Sequence, residues 1–375
     1  MDPRIEHIQV DGDILRFTLE GVNVSLANSL RRTILSDIEL VVFKTTPYEE
    51  NKANILSNTS KFNNEIIKQR LSCIPIHITD FKFPLENYLL EVNVENLTDT
   101  IQYVTTEDFK IKNVVTNEYL SKNETIQIFP PGDHGYYIDF LRLLPKISDG
   151  IPGEKIHLTC EFSKSNAREN GMYNAVSTCS YAFTPDKELI EKELAKKKHE
   201  WKQLGLDAVF LEKDWRLLDA MRLTKKDSFD FVIQTVGVFT NEELVEKACN
   251  ILNDKLLFID TQIETDEIKI VEAVNTMTNC YDIIIENEDY TIGKALEYMM
   301  YSKYFEGIQI LSYCGFKKMH PHDADSIIRV AYKEDTDLTT IKTHVKYCVE
   351  GAVAIFTKIT SQLHSSRVQK KLTTA

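Results

Sequence analysis

Residues 13–20 alternate as a half-buried strand does, with Leu15, Phe17 and Leu19 on one face and Arg16, Thr18 and Glu20 on the other. Ser25 then offers a hydroxyl where a helix N-cap is needed, and Leu26, Leu30, Ile34 and Ile38 follow at steps of four, one apolar helical stripe. Residues 40–180 read as mostly β. Short apolar segments (Ile74 to Ile78, Tyr88 to Val94, Thr125 to Phe129, Lys155 to Phe162) are separated by turn signals such as Pro130-Pro131-Gly132-Asp133 and Asp149-Gly150. Lys187 to Lys202 is charged, contains Ala and Leu and is free of Gly and Pro, which predicts a solvated helical connector; a regulatory or partner-binding arm is the sharper alternative. Phe229 to Val238 is a strand candidate. Thr240-Asn241-Glu242-Glu243 has the form of a capping box opening a helix over 241–259, with Val245, Ala248, Leu252, Leu256 and Ile259 on one face.

The last hundred residues return to the opening theme. Tyr281 to Ile285 predicts a strand, Thr291 a cap, and Ile292, Ala295, Leu296 and Met299 an apolar helix face over 291–302. A strand at Ser326 to Tyr332 leads to a helix from about Thr339 to Leu363. That helix carries Ile341, Val345, Cys348, Ala352, Ile355 and Ile359 in the 4-3-4-3-4 spacing of a seam packed along another helix. Phe17-Thr18-Leu19-Glu20 and Ser25 to Leu30 lie over Ile283-Ile284-Ile285-Glu286 and Thr291 to Leu296 at one constant offset of 266. Two strand–helix–strand–helix units in one chain suggest two similar domains packed face to face; chance likeness of two amphipathic hairpins is the plain alternative.

Composition narrows the function. The 375 residues are 43% hydrophobic and 27% charged, ordinary for a globular protein of two or three domains. The net charge of −13 makes a poor general phosphate binder, because duplex binding is driven by Lys and Arg neutralising phosphates. The sequence has no apolar run long enough for a transmembrane helix, and Met1-Asp2-Pro3-Arg4 lacks the apolar core of a signal peptide. Seven scattered cysteines without a CxxC pair suit reduced thiols. No phosphate loop, HExxH, GxSxG or Asp triad is present, so no catalytic residue is assigned and no cofactor is expected. His320, His322 and Asp325, with Cys314, form the best metal candidate, but Pro321 places the two His in a turn, and a structural turn is the preferred reading. Arg31 and Arg32 could contact phosphate. On so acidic a chain an Arg fork meeting a carboxylate across a protein interface is favoured, with a solvated Arg pair as the bland alternative.

Val24-Ser25-Leu26-Ala27-Asn28-Ser29-Leu30-Arg31-Arg32-Thr33-Ile34-Leu35 resembles the "NALRR" helix of the α-like subunits of cellular RNA polymerases: bacterial α, the archaeal D-type protein and the third-largest subunit of eukaryotic RNA polymerase II. Asn64 to Ile76 is similar to the next block of that family, "E-x-I-x-x-R-L-x-x-I-P", and Phe229 to Gly237 to its closing strand. Farther on, Glu288-Asp289-Tyr290-Thr291-Ile292-Gly293-Lys294-Ala295-Leu296 resembles the "E-D-H-T-L-G-N-A-L" block of the small α-like partner, the archaeal L-type protein and its eukaryotic counterpart; Tyr313, Gly315 and Met319-His320-Pro321 match its following turn loosely. The sequence departs from the pattern in having no Cys-rich metal loop, Met172 to Ser177 in place of "H-A-K-W", and Lys294 where Asn is usual.

The resemblance implies an α+β fold in which two α-like dimerisation domains pack intramolecularly through helices, with a β-rich domain inserted in the first. The expected parts are 1–44 with 226–272, the insertion 45–185, a helical connector 186–225, and a second dimerisation domain 273–375. The expected intramolecular interface comprises Leu26, Leu30, Ile34, Val245, Leu252, Leu256, Ile292, Leu296, Met299, Ile341, Val345, Ala352, Ile355 and Ile359. Arg31, Arg32, Leu35 and Arg70 are expected to contact a large subunit; for Arg70 an intradomain ion pair is an equal alternative. The implied role is a non-catalytic assembly platform for the second-largest and largest RNA polymerase subunits and a small zinc-binding subunit. DNA and RNA would be met only through the complex, with no membrane and no homodimer. Such fusions suggest a large DNA virus, with host cytoplasm or virion (or nucleus) as the compartment. A stand-alone metal enzyme or nucleic-acid binder on the same fold is the alternative.

Overall fold

The computed structural model describes residues 1–148, 150–273 and 277–373, with side chains described as far as Leu363, so part of the turn expected at Asp149-Gly150 lies outside the described residues. The chain forms two compact units. One comprises Met1–Ile34, Thr178–Gln234 and Val245–Ala375; the other comprises Leu35–Ser177 and Thr235–Leu244.

The first unit is built twice from one plan. β1 (Arg4–Asp11) and β2 (Ile14–Glu20) pair antiparallel and lead into α1 (Val24–Ser36); later come β3 (Val176–Pro185), the helices α2 (Lys187–Gln203) and α3 (Ala208–Leu217), β4 (Thr224–Thr235) and α4 (Asn241–Glu264). Then β5 (Lys269–Glu272), β6 (Cys280–Ile285), α5 (Tyr290–Met300), β7 (Leu311–Lys317), β8 (Ser326–Tyr332) and α6 (Leu338–Thr373) repeat the order strand, strand, helix, strand, strand, helix. The two sheets also share a strand order, β1-β2-β4-β3 and β5-β6-β8-β7. β6 and α5 start 266 residues after β2 and α1, the offset seen in the sequence.

Local chemistry explains the starts and stops. The expected caps Ser25 and Thr291 are corrected: the side chains that cap α1 and α5 are Asn23, whose Oδ1 accepts from Ser25 N at 2.9 Å, and Asp289, whose Oδ1 accepts from Thr291 N at 2.8 Å. The helices already begin at Val24 and Tyr290, so Asn23 and Asp289 hold the N-cap places, and Ser25 and Thr291 lie inside the first turn. The capping box at α4 is present, with Thr240 N donating to Glu243 Oε2 at 2.9 Å and Glu243 N to Thr240 Oγ1 at 3.3 Å. In the first sheet Leu15, Phe17 and Leu19 sit opposite Ile233, Phe231 and Phe229, all six are buried, and Phe17 stacks on Phe231 at 5.1 Å between ring centres. Each such fully buried side chain contributes about 1.5–3 kcal/mol. Beyond α5 the chain passes into a π-helical turn, Tyr301–Gly307. α6 reaches back to the outer strand of the first sheet: Ile5 N donates to Gln362 Oε1 and Gln362 Nε2 donates to Pro3 O, both at 2.8 Å.

The connector is helical and largely solvated, and it folds back as a two-helix hairpin with a small core of its own. α2 and α3 pack around Leu194, Trp215 and Ala220, with Ile190, Trp201 and Leu223 against them, and Arg216 pairs with Glu191 and Glu212.

The second unit is the β-rich insertion, beginning at Leu35 and ending at Ser177 rather than spanning 45–185, and joined by 235–244. Its main sheet orders the strands Ala53–Asn58, Lys155–Glu161, Tyr88–Glu95 and Lys110–Asn113 over a core that includes Phe43, Leu90, Val92, Phe109, Phe129 and Phe140. Two expected segments differ. Thr125 to Phe129 belongs to a helix, Lys122–Ile128, because Ser121 and Glu124 form a capping box. Ile74 to Ile78 joins no ladder: Pro75 has no amide to give, and the segment buries Ile74, Ile76 and Ile78 without forming a strand.

One titrating group follows from the second half of the first unit. The Tyr332 hydroxyl lies 2.9 Å from His344 Nδ1, and the Tyr304 ring packs over the imidazole with centres 4.2 Å apart. Burial, then the Lys303 charge, hold His344 below its ordinary value of 6.5. The fold therefore favours neutral imidazole, whose Nδ1 accepts from the phenol. This contribution is full above the unfolded value and fades as pH falls from about 6.5 toward the lower folded value. Melting temperature should fall between about pH 7 and pH 5.5, and His344→Gln should flatten that slope in thermal melts across pH. His77, also lowered by burial, adds to the slope with the same sign, so the flattening is partial.

Candidate functional site

The helices of the two halves meet where the middle of α1 approaches the start of α5. The Ser29 hydroxyl in α1 lies 2.6 Å from the Thr291 carbonyl of α5 and 2.8 Å from the Ser25 carbonyl of its own helix, so one proton serves two acceptors. Arg32 Nε donates to Thr291 Oγ1 at 2.9 Å and its Nη2 meets Asp289 Oδ2 at 3.1 Å. Asp289 thus caps its own helix with one oxygen and binds the guanidinium with the other. Ser29 is buried, while Arg32 is 38% exposed and Asp289 23%, so the ion pair is partly screened and its worth is orientation more than energy.

The second seam joins α4 to α6. Asn253 Nδ2 donates to Thr357 Oγ1 at 3.3 Å, Lys346 pairs with Glu264 at 2.5 Å, and Lys342 pairs with Asp266. Lys255 of α4 also reaches Glu288 at 3.3 Å, just ahead of α5. Of the apolar positions expected to form the interface, Leu26, Leu30, Ile34, Val245, Leu252, Leu256, Ile292, Leu296, Ile341, Val345, Ala352, Ile355 and Ile359 are buried. Met299 is half-buried, and its Cε lies against α6, 2.8 Å from where a Cβ would stand at Gly351; its neighbour Met300 is fully buried. Gly293 lies in α5 where a Cβ would come within 2.0 Å of the Phe316 ring, so the smallest residue lets β7 approach.

The arginines expected to face outward divide. Arg31 Nε donates to Asn28 Oδ1 at 2.9 Å on its own helix, and Arg32 is engaged by Asp289 and Thr291. Arg70 is exposed and forms no ion pair among the described residues: its Nε donates to Phe140 O at 2.6 Å and its Nη2 to Asp139 O at 2.7 Å, tying the helix Asn64–Ser72 to the strand Asp139–Leu143. Leu35 is half-buried. The contacts of Arg32 and Arg70 were not legible from spacing, because the groups that receive them lie 257 and about 70 residues away in the chain.

The metal candidates do not converge. His320 N donates to Asp323 Oδ2 and His322 N to His320 Nδ1, Asp325 Oδ1 accepts from Asn287 N, and the Cys314 thiol donates to Glu297 O. Among the described residues no group of three or more His, Cys, Asp or Glu side chains is placed to hold a metal ion. All seven cysteines are free thiols, and burial pushes Cys160, Cys179, Cys249, Cys314 and Cys348 up to about 12, which leaves them protonated.

Two matched sheets with helices locked across them define a subunit-pairing scaffold. Residues 16–256 match the family described as the RNA polymerase Rpb3/Rpb11 dimerisation domain. The chain is 24% identical over 298 residues to the DNA-directed RNA polymerases I and III subunit RPAC1 of Bos taurus, covering 67% of this chain and 82% of that protein. It is 26% identical over 277 residues to the DNA-directed RNA polymerase subunit Rpo3 of Pyrococcus horikoshii, covering 67% and 94%. A conjugation stage-specific protein of Tetrahymena thermophila is 25% identical over 293 residues, covering 66% and 91%. The chain belongs to the RNA polymerase Rpb3/Rpb11 dimerisation family. As such it is an α-like, non-catalytic assembly subunit of a multisubunit DNA-directed RNA polymerase.

Proposed function

We propose that this chain is both members of an α-like pair in one polypeptide, a first half of the larger type and a second half of the small type. The observation that carries this reading is the repeated plan of the first unit: the same element order apart from the added α2–α3 hairpin, identical sheet order and one 266-residue offset that also relates the caps Asn23 and Asp289. Joining the partners replaces a bimolecular step by an intramolecular one at high effective concentration and fixes their ratio at one to one.

On this platform the second-largest polymerase subunit would dock first, at the α1 side through Arg31, Arg32 and Leu35 and at the second unit through Arg70, followed by a small zinc-binding subunit and the largest subunit. Metal-assisted nucleotide chemistry would belong to the two large subunits. An origin in a large DNA virus goes with the fusion on this reading.

Native mass spectrometry of the complex carrying the tagged chain tests it. The expected result is an assembly with two much larger subunits and one copy of this chain, without a separate small α-like subunit. A free small α-like partner bound beside α1 would overturn the fusion reading; a lone monomer or homodimer would overturn the assembly role. Expressed as residues 1–272 and 277–375, the two halves should copurify.

A further inference from the structure

The hairpin α2–α3 interrupts the first half where the second half has only the connection 318–325 between β7 and β8. One side of α3 packs on α2 through Trp215. Its other side is bare: Phe210 is 69% exposed and Leu217 76%, with Val209 beside them, and Leu206 just ahead of the helix and Met221 in the 3-10 turn after it are exposed as well. Within the helix Phe210, Lys213 and Leu217 fall at steps of three and four on one face, and Lys213 stands between the two apolar side chains. Single exposed apolar residues are ordinary; an aligned stripe of them on a hairpin with its own small core marks a docking face.

Lys213 gives the occupant its chemistry. It is exposed and makes no ion pair among the described residues, whereas the carboxylates nearest it in the hairpin are used: Glu212 by Lys198 and Arg216, Glu191 by Arg216, and Asp207 by the amides of Val209 and Phe210. Asp214 borders the stripe on one side. A lysine in the middle of an apolar seam loses its water when a partner covers it, and a carboxylate opposite compensates. The hairpin over 186–222 has nine cations and nine carboxylates, so the chain's charge of −13 lies outside it, and an anionic bilayer would be repelled by the rest of the molecule. Two hairpins set face to face would bring two uncompensated Lys213 side chains together.

We infer that the outer face of α3 binds an amphipathic helix of a partner protein, with apolar residues along the seam and a carboxylate opposite Lys213. The test replaces Phe210 by the photocrosslinker p-benzoylphenylalanine in the full chain, assembles it in its native complex, and maps the adduct by mass spectrometry. The adduct is expected on a helical segment of another protein with a carboxylate within one turn, and Lys213→Glu should lower its yield about tenfold while Lys213→Gln gives an intermediate loss. Both positions are exposed, so an unchanged melting temperature confirms that the variants fold. An adduct on a second copy of this chain, on lipid or on nucleic acid would overturn the inference. So would no adduct, an adduct far from any carboxylate, or a yield indifferent to Lys213→Glu.

Discussion

Leu256→Asp should leave the first unit without a stable fold, while Leu257→Asp, one position along the same helix, should leave it standing. Leu256 is wholly buried in α4 and Leu257 is 48% exposed. Removing the leucine forfeits about 2–5 kcal/mol of burial and packing. An aspartate in its place must stay charged without a partner or take up a proton, and either adds several kcal/mol. The sum is comparable to the whole stability of a domain, about 5–15 kcal/mol. The exposed neighbour should change stability by no more than about 0.5 kcal/mol. Far-UV circular dichroism melts of the two variants, side by side with the parent, measure the difference; similar melts for both would contradict the burial assigned to α4.

The second large effect falls in the other unit. Gly153→Ala should destabilise it by about 3 kcal/mol, the upper end of what one added methyl does in a packed site. A Cβ at Gly153 would stand 1.8 Å from the Asn96 carbonyl oxygen. That oxygen cannot swing aside. The Asn96 side chain is fully buried, donates to Thr100 O and Leu143 O at 2.8 and 2.9 Å, and accepts from Thr98 N at 2.9 Å. Gly150→Ala supplies the control, since a Cβ there meets nothing within 4 Å. Thermal melts should show a large drop for the first and little change for the second.

The helix-bearing halves are largely legible in the sequence and the insertion much less so. The stripes of α1, α4 and α6 are periodic over many residues, so errors at their ends do not disturb them. Reading Ser25 and Thr291 as caps misplaces two helix starts by the same amount, which is why the 266-residue offset survives. In the insertion the apolar runs are short. A five-residue run such as Thr125 to Phe129 serves a helix as well as a strand, and only the Ser121–Glu124 box decides between them. The site is legible as burial but not as partnership. Leu30 and Leu296 announce themselves as interior, whereas nothing near Arg32 in the sequence says that Asp289 will meet it.

The two hydrogen bonds that Gln362 makes with Pro3 and Ile5 have a consequence for the molecule's behaviour in a crowded solution. A border strand shows its free amides and carbonyls to any passing chain and so invites a foreign strand to lengthen the sheet. The Gln362 amide offers one acceptor and one donor to β1, as a neighbouring backbone would, and so closes part of that border with a side chain. The long last helix is therefore a guard against sticking as well as a packing element, and a variant such as Gln362→Ala would lose that guard while keeping the core intact.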